Sequence, residues 1–572
     1  MNTNDRYLNV QYGTLTAEVD ITGISRLGGV KTAIKAILSN ALSQVDAPQL
    51  QLYTNSNRDQ LITDLDDITL EKTPQYYQKL IQGGSCVSIG TSSPPSLQPT
   101  QVQLFTHIQS SPAISNFWNS FQACTTPIEE NQVIQLPTNI YILGNPALGS
   151  SVFIRHCYPK LLATALSIIE TPDSPHLVIL GNLGIGKTYF GYVLLLHLAR
   201  SGATVVYESG KAEKQYLFSA DGISHGKRGD FTNYLDEAST FYIVDASKPV
   251  DVAAKTILLS SPRRDVWYKF SDDHCDIRYM PIWSYEEIEL CRGALFDDLS
   301  SAQVECLYGK WGGIPRYVLE YADNPFQQSK LDSAIKAVDL DLLVKAIGNL
   351  EASDSATHRL LHLNVADDFC TIQYFLASEY VADQVYLQLY TRQCDELIQF
   401  LSISQGVGDV GVLRDVLFER HAHAVISNGG AFQIRELLDP NFNNSPTLML
   451  QFLASRQLVF DSDSEVQSSE GYYYRPRINN YESVDSFQKP NLLFQMTGTR
   501  KHPCKQVGIH KVLNLLGNPV SPILYFVVPK DRFSDFKYQK YEDSSGNIMQ
   551  QPSYANVKNI RQFVLAIELT RS

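Results

Sequence analysis

The sequence predicts a multidomain α/β protein made of three folded units joined by connecting segments. Its 572 residues are more than a single hydrophobic core usually holds. In the middle of the chain, short apolar runs alternate with helical segments, which is typical of a mostly parallel sheet with helices on both faces. A glycine-rich loop follows the first of these runs, and β-rich sequence closes the chain.

Composition and charge exclude several classes of protein. Hydrophobic residues make up 44% of the chain and charged residues 19%, as in an ordinary globular protein. The formal net charge of −13 argues against a protein that coats nucleic acid or membrane by bulk charge. No apolar run is long enough to span a bilayer, so no membrane partner is expected. The nine cysteines include no CxxC pair, which indicates neither a zinc site nor a disulfide framework.

The first predicted unit, called the N-terminal unit below, covers residues 1–92 and resembles a ubiquitin-like domain. Its strands and helix follow the order β-β-α-β-β, and a generic α/β cap is the alternative. The predicted strands are Tyr7–Val10, Thr14–Ile21, Leu50–Tyr53 and Cys86–Ile89, with a helix at Val30–Leu42. Residues 93–135 are predicted to be a linker and connecting segment, because Gly90–Gln103 is rich in Ser, Pro, Thr and Gln.

The second predicted unit, residues 136–325, contains a phosphate-binding loop. Gly181–Thr188 reads GNLGIGKT and matches G-x-x-x-x-G-K-[ST] at every position. Gly181, Gly184 and Gly186 allow backbone N–H groups to curl around phosphate oxygens, and the N-terminus of the following helix adds positive potential. Lys187 is expected to bind the β- and γ-phosphates and Thr188 to bind Mg²⁺. The expected cofactors are therefore ATP, or another nucleoside triphosphate, and Mg²⁺.

Further residues are predicted to complete this nucleotide site. Asp245 ends the apolar run Phe241–Val244, where a metal-binding carboxylate is needed. The next residue is Ala246, so the second carboxylate that many ATPases place there to polarise water is missing, and slow hydrolysis or another base is expected. Residues predicted to reach the γ-phosphate follow the next strand or a later glycine turn: Ser260, Arg263, Arg264 and Arg316. Solvated surface charge is the alternative for Arg263 and Arg264.

Three segments of the second unit, and one of the N-terminal unit, carry a resemblance to a known family. Val152–Tyr158 precedes the loop, Tyr279–Glu287 contains a tryptophan–serine–acidic motif, and Gly312–Arg316 is a glycine-glycine-x-proline-arginine turn. Together with Leu50–Tyr53, they resemble the Crinkler effectors of oomycetes and fungi, which are related to retrotransposon hot spot proteins. The N-terminal unit departs from the family directly after Leu50–Tyr53, where Thr54-Asn55 stands in place of the aliphatic-Ala-Lys sequence that ends the family's motif. The resemblance implies an AAA/STAND-like P-loop NTPase, and secretion followed by action in a host nucleus, although the chain's start shows no signal peptide.

The resemblance also implies a nuclease of the restriction-endonuclease type, PD-(D/E)xK, in residues 406–572, after a helical region at 326–405. Such enzymes use acidic ligands for Mg²⁺ and a lysine near the attacking water. Gln495 and Thr497 stand where the second acid and the lysine belong. The predicted metal ligands are Glu419 and Asp485, and the other predicted catalytic residues are Gln495, Thr497, Lys501 and Lys505. An exposed helix charge at Glu419 and a turn residue at Asp485 are the alternatives.

The clearest strands of this last unit are predicted from its apolar runs. They are Ala431–Leu437, Asn491–Met496, Ile523–Val528 and Gln562–Leu569. A local excess of positive charge in the same unit suggests a polyanionic partner. Residues 471–540 contain eleven Lys or Arg and four Asp or Glu, a balance of +7. Tyr472, Tyr473 and Tyr474 adjoin this run, and aromatic side chains can stack on bases. The solvated face of a sheet is the alternative.

The predicted function is that of an effector toxin, which couples ATP hydrolysis to Mg²⁺-dependent DNA cleavage and causes host cell death. The expected partners are DNA, copies of the same chain and host nuclear factors. The first alternative is a nucleotide-switched protein that binds nucleic acid through an inactive nuclease fold. A P-loop kinase is the second alternative, but no insertion of lid length follows Arg264.

Overall fold

The computed structural model divides the chain into two compact units, residues 1–105 and 106–572. In the first unit it describes the backbone of residues 7–12, 15–20, 50–53 and 87–91. In the second it describes residues 111–569 with gaps at 172–174, 211–213, 221, 263, 272–274, 349–356, 404–409, 439–444, 467–470, 478–480, 482–483 and 500–501.

The described strands of the first unit form one mixed sheet in the order β2-β1-β4-β3. The first and last strands of the unit run parallel to each other, and the other two neighbouring pairs are antiparallel. These strands are β1 (Tyr7–Tyr12), β2 (Leu15–Asp20), β3 (Leu50–Tyr53) and β4 (Val87–Thr91). The helix expected at Val30–Leu42 lies outside the described residues.

The N-terminal part of the second unit is an α/β layer structure. Its strands are β5 (Val133–Gln135), β6 (Ser151–Phe153), β7 (His176–Leu180), β8 (Val205–Ser209), β9 (Lys214–Ser219), β10 (Gly222–Gly226), β11 (Phe241–Asp245), β12 (Lys255–Leu259) and β13 (Cys275–Tyr279). Its helices are α1 (Pro112–Ala123), α2 (Cys157–Ile169), α3 (Lys187–Ser201), α4 (Thr232–Leu235), α5 (Arg264–Trp267), α6 (Tyr285–Leu295) and α7 (Ser301–Trp311), followed by a π-helical turn at Arg316–Glu320.

The central sheet of this part has the order β10-β9-β8-β11-β12-β7-β13. The last five strands are parallel, while β9 and β10 extend the edge as an antiparallel hairpin. Since both faces of the parallel strands are covered, β7, β11 and β12 are apolar at nearly every position and almost wholly buried. The strand before the glycine-rich loop and the strand ending in Asp245 are therefore separated by β12.

Part of the segment expected to be a linker belongs to this core. Helix α1 lies within residues 93–135, and its aromatic side chains are buried. The ring of Trp118 stacks on that of Phe218 from β9 at a centroid distance of 4.2 Å. The stretch rich in Ser, Pro, Thr and Gln ends before this helix. Within α1, the apolar residues are spaced as in a surface helix that packs against a core.

The region expected to be helical, residues 326–405, also contains a β-hairpin. Its strands β14 (Leu361–Val365) and β15 (Ile372–Leu376) pair antiparallel. The helices around the hairpin are α8 (Pro325–Lys336), α9 (Leu340–Gly348), α10 (Thr357–Leu360), α11 (Glu379–Arg392) and α12 (Cys394–Ile403). The apolar run of β14 is too short to be distinguished from a helix by periodicity alone, which explains why the hairpin was not expected.

The C-terminal part is built on an eight-stranded sheet in the order β17-β16-β26-β23-β21-β20-β19-β18. The four strands that the sequence predicts there correspond to four adjacent strands of this sheet, β16, β26, β23 and β21. The strands of this part are β16 (Gly430–Leu437), β17 (Thr447–Phe452), β18 (Arg456–Phe460), β19 (Tyr472–Pro476), β20 (Ser486–Gln488), β21 (Leu492–Met496), β22 (Cys504–Lys505), β23 (Ile523–Pro529), β24 (Tyr541–Glu542), β25 (Ile548–Met549) and β26 (Arg561–Ile567), with helices α13 (Val410–Asn428), α14 (Gln506–Leu515) and α15 (Ala555–Lys558). Among the helices described, none has the length and hydropathy needed to cross a membrane.

Candidate nucleotide-binding site

The glycine-rich loop connects the end of β7 to the start of α3 and requires glycine at two positions. Gly184 and Gly186 have φ angles of +86° and +99°, a region that L side chains rarely adopt. A Cβ on Gly184 would lie 2.8 Å from the Cβ of Arg316, and one on Gly186 would lie 2.7 Å from the hydroxyl of Tyr158. Backbone conformation and close packing therefore both exclude larger residues.

Three side chains meet at the end of this loop. The Lys187 ammonium donates hydrogen bonds of 2.7 Å to the carbonyl oxygens of Gly181 and Asn182. The Thr188 hydroxyl lies 2.9 and 3.1 Å from the two carboxylate oxygens of Asp245, which is buried at the end of β11. The structure therefore brings together the lysine, the hydroxyl and the carboxylate that the sequence placed in one site.

The electrostatics of Lys187 favour an anionic ligand. Burial lowers the pKa of this lysine to about 7, with the negative charge of Asp245 opposing the shift and the positive charge of Arg316 adding to it. A buried ammonium that is poorly compensated is stabilised by a nearby anion. Phosphate oxygens would replace the two loop carbonyls as partners of Lys187.

The residues present fit a magnesium nucleotide. Mg²⁺ prefers oxygen ligands and is commonly held by one or two protein groups together with substrate phosphates. Thr188 and Asp245 supply a hydroxyl and a carboxylate in mutual contact. Helix α3, with 15 residues, presents its N-terminal N–H groups to the same point. The donors for the phosphates and for the metal are thus already in place.

The other predicted nucleotide-site residues are placed as follows. The backbone N–H of Arg316 donates to the carbonyl of Gly184 at 3.4 Å, which puts this arginine beside the loop. Ser260 is buried directly after β12, and its N–H donates to Ile179 of β7. Arg263 lies outside the described residues, and Arg264 begins the short helix α5 with its side chain outside them.

The residue after Asp245 supplies no carboxylate. Ala246 has a φ angle of +60°, and its N–H donates to Leu259 of β12. Glu208, a buried acid near the end of the adjacent strand β8, accepts hydrogen bonds from Gln215, Tyr242 and Ser247. Since successive side chains of a strand point to opposite faces, Glu208 lies on the face opposite Tyr207, whose hydroxyl faces Asp245.

Side chains from two distant segments hold the loop through contacts that no sequence pattern indicated. The indole N–H of Trp283 donates to the carbonyl of Ile185 at 2.8 Å, and the hydroxyl of Tyr158 donates to the carbonyl of Gly186 at 2.8 Å. Trp283 and Tyr158 belong to two of the segments that carry the family resemblance. Their function in the structure is to fix the backbone of the loop.

Arg155 and Glu287 connect these two segments in the interior. Arg155 is fully buried and donates to the carbonyls of Pro281 and Ile282, at 2.8 and 3.0 Å, and to the Glu287 carboxylate at 3.1 Å. Glu287 is also the third residue of α6 and forms a capping box with Ser284. The tryptophan–serine–acidic motif therefore begins a helix and anchors the buried arginine.

Asn182 is a further loop residue that the sequence did not single out. Its buried side chain accepts from the N–H of Leu363 at 2.9 Å and donates to the carbonyl of Leu361 at 3.0 Å. Both partners lie on β14, in the unexpected hairpin. The loop is thus joined directly to the helical region that follows the α/β part.

The predicted nuclease residues are only partly assembled. Asp485 directly precedes β20, and its carboxyl accepts from the N–H of Met496 at 2.6 Å and the amide of Gln495 at 2.8 Å. Burial, together with the negative charge of Glu419, raises the pKa of Asp485 well above its ordinary value. Burial also acts to raise the pKa of Glu419, but the His423 ring at 3.6 Å and the charge of Arg420 hold it at about 2. The pKa values of the two acids are thus shifted in opposite directions, downward for Glu419 and upward for Asp485.

These residues do not fit a catalytic metal. The ionised Glu419 is bound by the Arg420 guanidinium at 2.5 Å. Thr497 bonds with its neighbour Thr499, and Lys505 lies on β22 in a separate three-stranded sheet. Lys501 lies outside the described residues. Within those that the structure does describe, no group of three or more His, Cys, Asp or Glu side chains is placed to hold a metal ion. The described contacts therefore give no support to a Mg²⁺ ion shared by Glu419 and Asp485, which stays a prediction.

The basic run at residues 471–540 is less exposed and less charged than its sequence suggests. Tyr473 and Tyr474 are fully buried, so neither can stack on a base. Several of the cations pair with acids outside the run, so that their charge is compensated on the surface; these pairs are Arg475–Asp383, Arg477–Asp461 and Lys530–Glu568.

No protein-family model matches the chain, and no curated protein matches its sequence. Solved structures resemble it in part. A RuvB Holliday junction branch migration motor from Thermotoga maritima is 17% identical over 42% of this chain and 76% of that chain, with a TM-score of 0.22. The Hsp104–ADP complex of S. cerevisiae is 12% identical over 46% of this chain and 40% of that chain, with a TM-score of 0.21. A STAND protein with a tetratricopeptide repeat sensor from Pyrococcus horikoshii is 12% identical over 53% of this chain and 50% of that chain, with a TM-score of 0.20.

TM-scores this low say nothing about function, and the resemblance to the Crinkler effectors stays a prediction. The strand order, the glycine conformations of the loop and the contact between Thr188 and Asp245 are those of a P-loop NTPase-like α/β fold. Residues 111–321 contain this fold.

Proposed function

We propose that the protein binds a magnesium nucleoside triphosphate at the loop Gly181–Thr188 and hydrolyses it slowly. The observation that carries this proposal is the contact of 2.9 Å between the Thr188 hydroxyl and the Asp245 carboxylate, with the half-buried Lys187 beside them. A hydroxyl, a carboxylate and an ammonium converge on the N-terminus of a helix, where phosphate and metal charges are both compensated.

Each side chain has a separate role in this mechanism. Lys187 neutralises the β- and γ-phosphates, and Arg316, beside Gly184, adds a second positive charge. Thr188 and Asp245 would hold the metal, which would supply charge neutralisation as the γ-phosphate leaves. Ala246 provides no acid to polarise water, and Glu208 faces away from Asp245. Slow turnover follows from this arrangement.

Substitution of Lys187 tests nucleotide binding. Lys187→Ala removes the ammonium from the phosphates, so the affinity for a fluorescent triphosphate analogue should fall about tenfold or more, roughly 1.4 kcal/mol. Lys345→Ala, an exposed lysine on α9, is the matched control and should leave the affinity unchanged. Equal affinities of Lys187→Ala and wild type would refute the proposal.

For the C-terminal part we propose a nuclease fold that does not cleave DNA, in line with the alternative to the predicted DNA nuclease. Two observations support an inactive site: Asp485 is held by Gln495 and Met496, and Glu419 is neutralised by Arg420. Plasmid nicking in Mg²⁺ or Mn²⁺, with and without ATP, tests this directly. Wild type should not cut, whereas cutting that disappears in Asp485→Asn would establish the nuclease instead.

The role as a secreted effector that enters a host nucleus rests on the family resemblance. The N-terminal unit supports it in one respect, since its last strand lies parallel beside the first in the middle of the sheet, as in ubiquitin-like folds. We propose in addition that the chain self-associates, because P-loop machines commonly place arginines against a neighbouring nucleotide. Light scattering of the full chain with and without ATP tests assembly, and the distribution of the tagged protein in host cells tests nuclear entry.

A further inference from the structure

A small cavity lies next to the tip of the phosphate loop and shares Leu183 and Arg316 with the nucleotide site described above. Its volume is about 50 Å³. Loop, π-helical turn and hairpin all contribute to its wall, which consists of Leu183, Trp311, Ile314, Arg316, Tyr317, His358, Arg359 and His362. One water molecule needs a cavity of about 10–15 Å³, so this one is large enough for a small polyatomic group.

His362 presents unused hydrogen-bonding groups to this cavity. Its side chain is 1% exposed, and within the described part of the chain neither ring nitrogen has a hydrogen-bond partner. Burial lowers the pKa of His362 to about 3, so the ring is neutral, with one N–H donor and one acceptor. Buried polar groups are nearly always satisfied, and an exception calls for a missing partner.

The position of this imidazole is held from two sides. Asn182 of the phosphate loop bonds to both backbone neighbours of His362, Leu361 and Leu363. A Cβ on Gly312 would lie 3.1 Å from the ring, so the glycine turn leaves just enough space for it. The ring is therefore fixed next to the loop by the same contacts that join the loop to the hairpin.

The charged groups of the cavity wall are all positive. Arg359 has a buried Nε without a partner among the described residues, and the Arg316 guanidinium has a loose contact of 3.9 Å with Glu320. The wall contains no Asp or Glu among the residues that the structure describes. Two guanidinium groups and an unpaired imidazole in a space of this size match the shape and charge of one oxyanion.

We propose that this cavity is a binding subsite for a phosphate oxyanion, formed by Arg316, Arg359 and His362. The oxyanion is free inorganic phosphate or the terminal phosphate of a triphosphate bound at the loop. The second source rests on the proposed function, and the first does not. Leu183 at the loop tip and the backbone bond from Arg316 to Gly184 place the subsite within reach of the loop.

Titration of the full chain with inorganic phosphate tests the first source. The shift in melting temperature is followed against potassium chloride at equal ionic strength, in wild type and in Lys187→Ala, which lacks the loop cation. Phosphate should stabilise both proteins, and its apparent affinity should fall about tenfold in Arg359→Gln, where charged hydrogen bonds are lost. Arg456→Gln, an exposed arginine on β18, is the matched control and should bind phosphate as wild type does.

Nucleotide titration tests the second source. If free phosphate stabilises neither protein, Arg359→Gln should weaken triphosphate binding about tenfold and leave diphosphate binding unchanged. Absence of both effects overturns the subsite. Failure of wild type to bind any nucleotide would overturn the proposed function, and the phosphate titration of Lys187→Ala would still decide the subsite by itself. Circular dichroism of Arg359→Gln verifies that the fold is retained.

Discussion

The indole N–H of Trp283 donates a hydrogen bond of 2.8 Å to the carbonyl oxygen of Ile185 in the phosphate loop. In a trans peptide the N–H points away from the carbonyl of the preceding residue, so this bond turns the N–H of Gly186 in the opposite direction. The bond from Tyr158 to the carbonyl of Gly186 acts in the same way on the N–H of Lys187. The two bonds thus fix the directions of the N–H groups of Gly186 and Lys187.

Removal of the indole donor should weaken nucleotide binding. Trp283→Phe keeps an aromatic ring in place but leaves the carbonyl of Ile185 without its main partner. A lost hydrogen bond of this kind costs about 1 kcal/mol, or roughly fivefold in the dissociation constant. Trp267→Phe is the matched control, because that indole also donates to a backbone carbonyl, at Pro262, but on the other side of the sheet. Calorimetric titration with a triphosphate measures both, and similar affinities of the two variants would contradict the role of Trp283.

Replacement of Asp245 should separate binding from hydrolysis. Asp245→Asn keeps an oxygen for the Thr188 hydroxyl but removes the charge that orients the metal. The effect should be greatest as the γ-phosphate leaves, so kcat should fall about tenfold or more while the dissociation constant changes less than about threefold. Asp251→Asn, an exposed acid, is the control. Phosphate-release kinetics measure the effect, and a lowered melting temperature without nucleotide would instead indicate a structural carboxylate.

Arg420 should be essential for stability. It is buried in α13 and pairs with Glu379 and Asp383 of α11 and with its neighbour Glu419. Arg420→Ala removes the cation shared by Glu379 and Glu419, while Asp383 keeps Arg475. Breaking a buried ion pair in this way costs about 3–5 kcal/mol of the free energy of unfolding. Urea denaturation measures it, with the exposed Arg456→Ala as control. A loss below about 1 kcal/mol would mean that water reaches these acids and compensates them.

Buried histidines should make the fold sensitive to acid. Burial lowers the pKa of His421 to about 4, and this ring accepts or donates one hydrogen bond with Tyr386 at 3.1 Å. Its folded-state pKa lies below the unfolded value of about 6.5, so the unfolded state binds more protons between these values and stability is lost as the pH falls through this range. His423 has a pKa lowered to about 4 in the same way.

A substitution isolates the contribution of His421. In His421→Asn, the loss of stability between about pH 6.5 and 4 should be smaller by up to about 1.4 kcal/mol per pH unit, because one titrating group is gone. Urea denaturation at several pH values measures the slope for both proteins. An unchanged slope would show that His421 does not titrate in this range.

The phosphate loop, the strands around it and the central strands of the C-terminal sheet could all be predicted from the sequence. These features depend on local chemistry: positive φ angles require glycine at Gly184 and Gly186, and apolar runs of strand length form buried strands. The surroundings of the loop became known only with the folded chain. Trp283 and Tyr158 reach the loop from remote parts of the chain, and Asn182 of the loop binds a remote strand. No local pattern specifies such contacts.

The C-terminal part shows the same division for charge. A count along the sequence treats Arg475, Arg477 and Lys530 as unpaired, whereas folding brings each of them to an acid outside the counted run. The raised pKa of Asp485 likewise depends on burial and on the charge of Glu419, which composition does not reveal. Glycine and hydrophobic patterns act through the backbone and are local, so they can be recognised in the sequence. Electrostatic interactions act through space, and only the folded chain sets the distances that decide them.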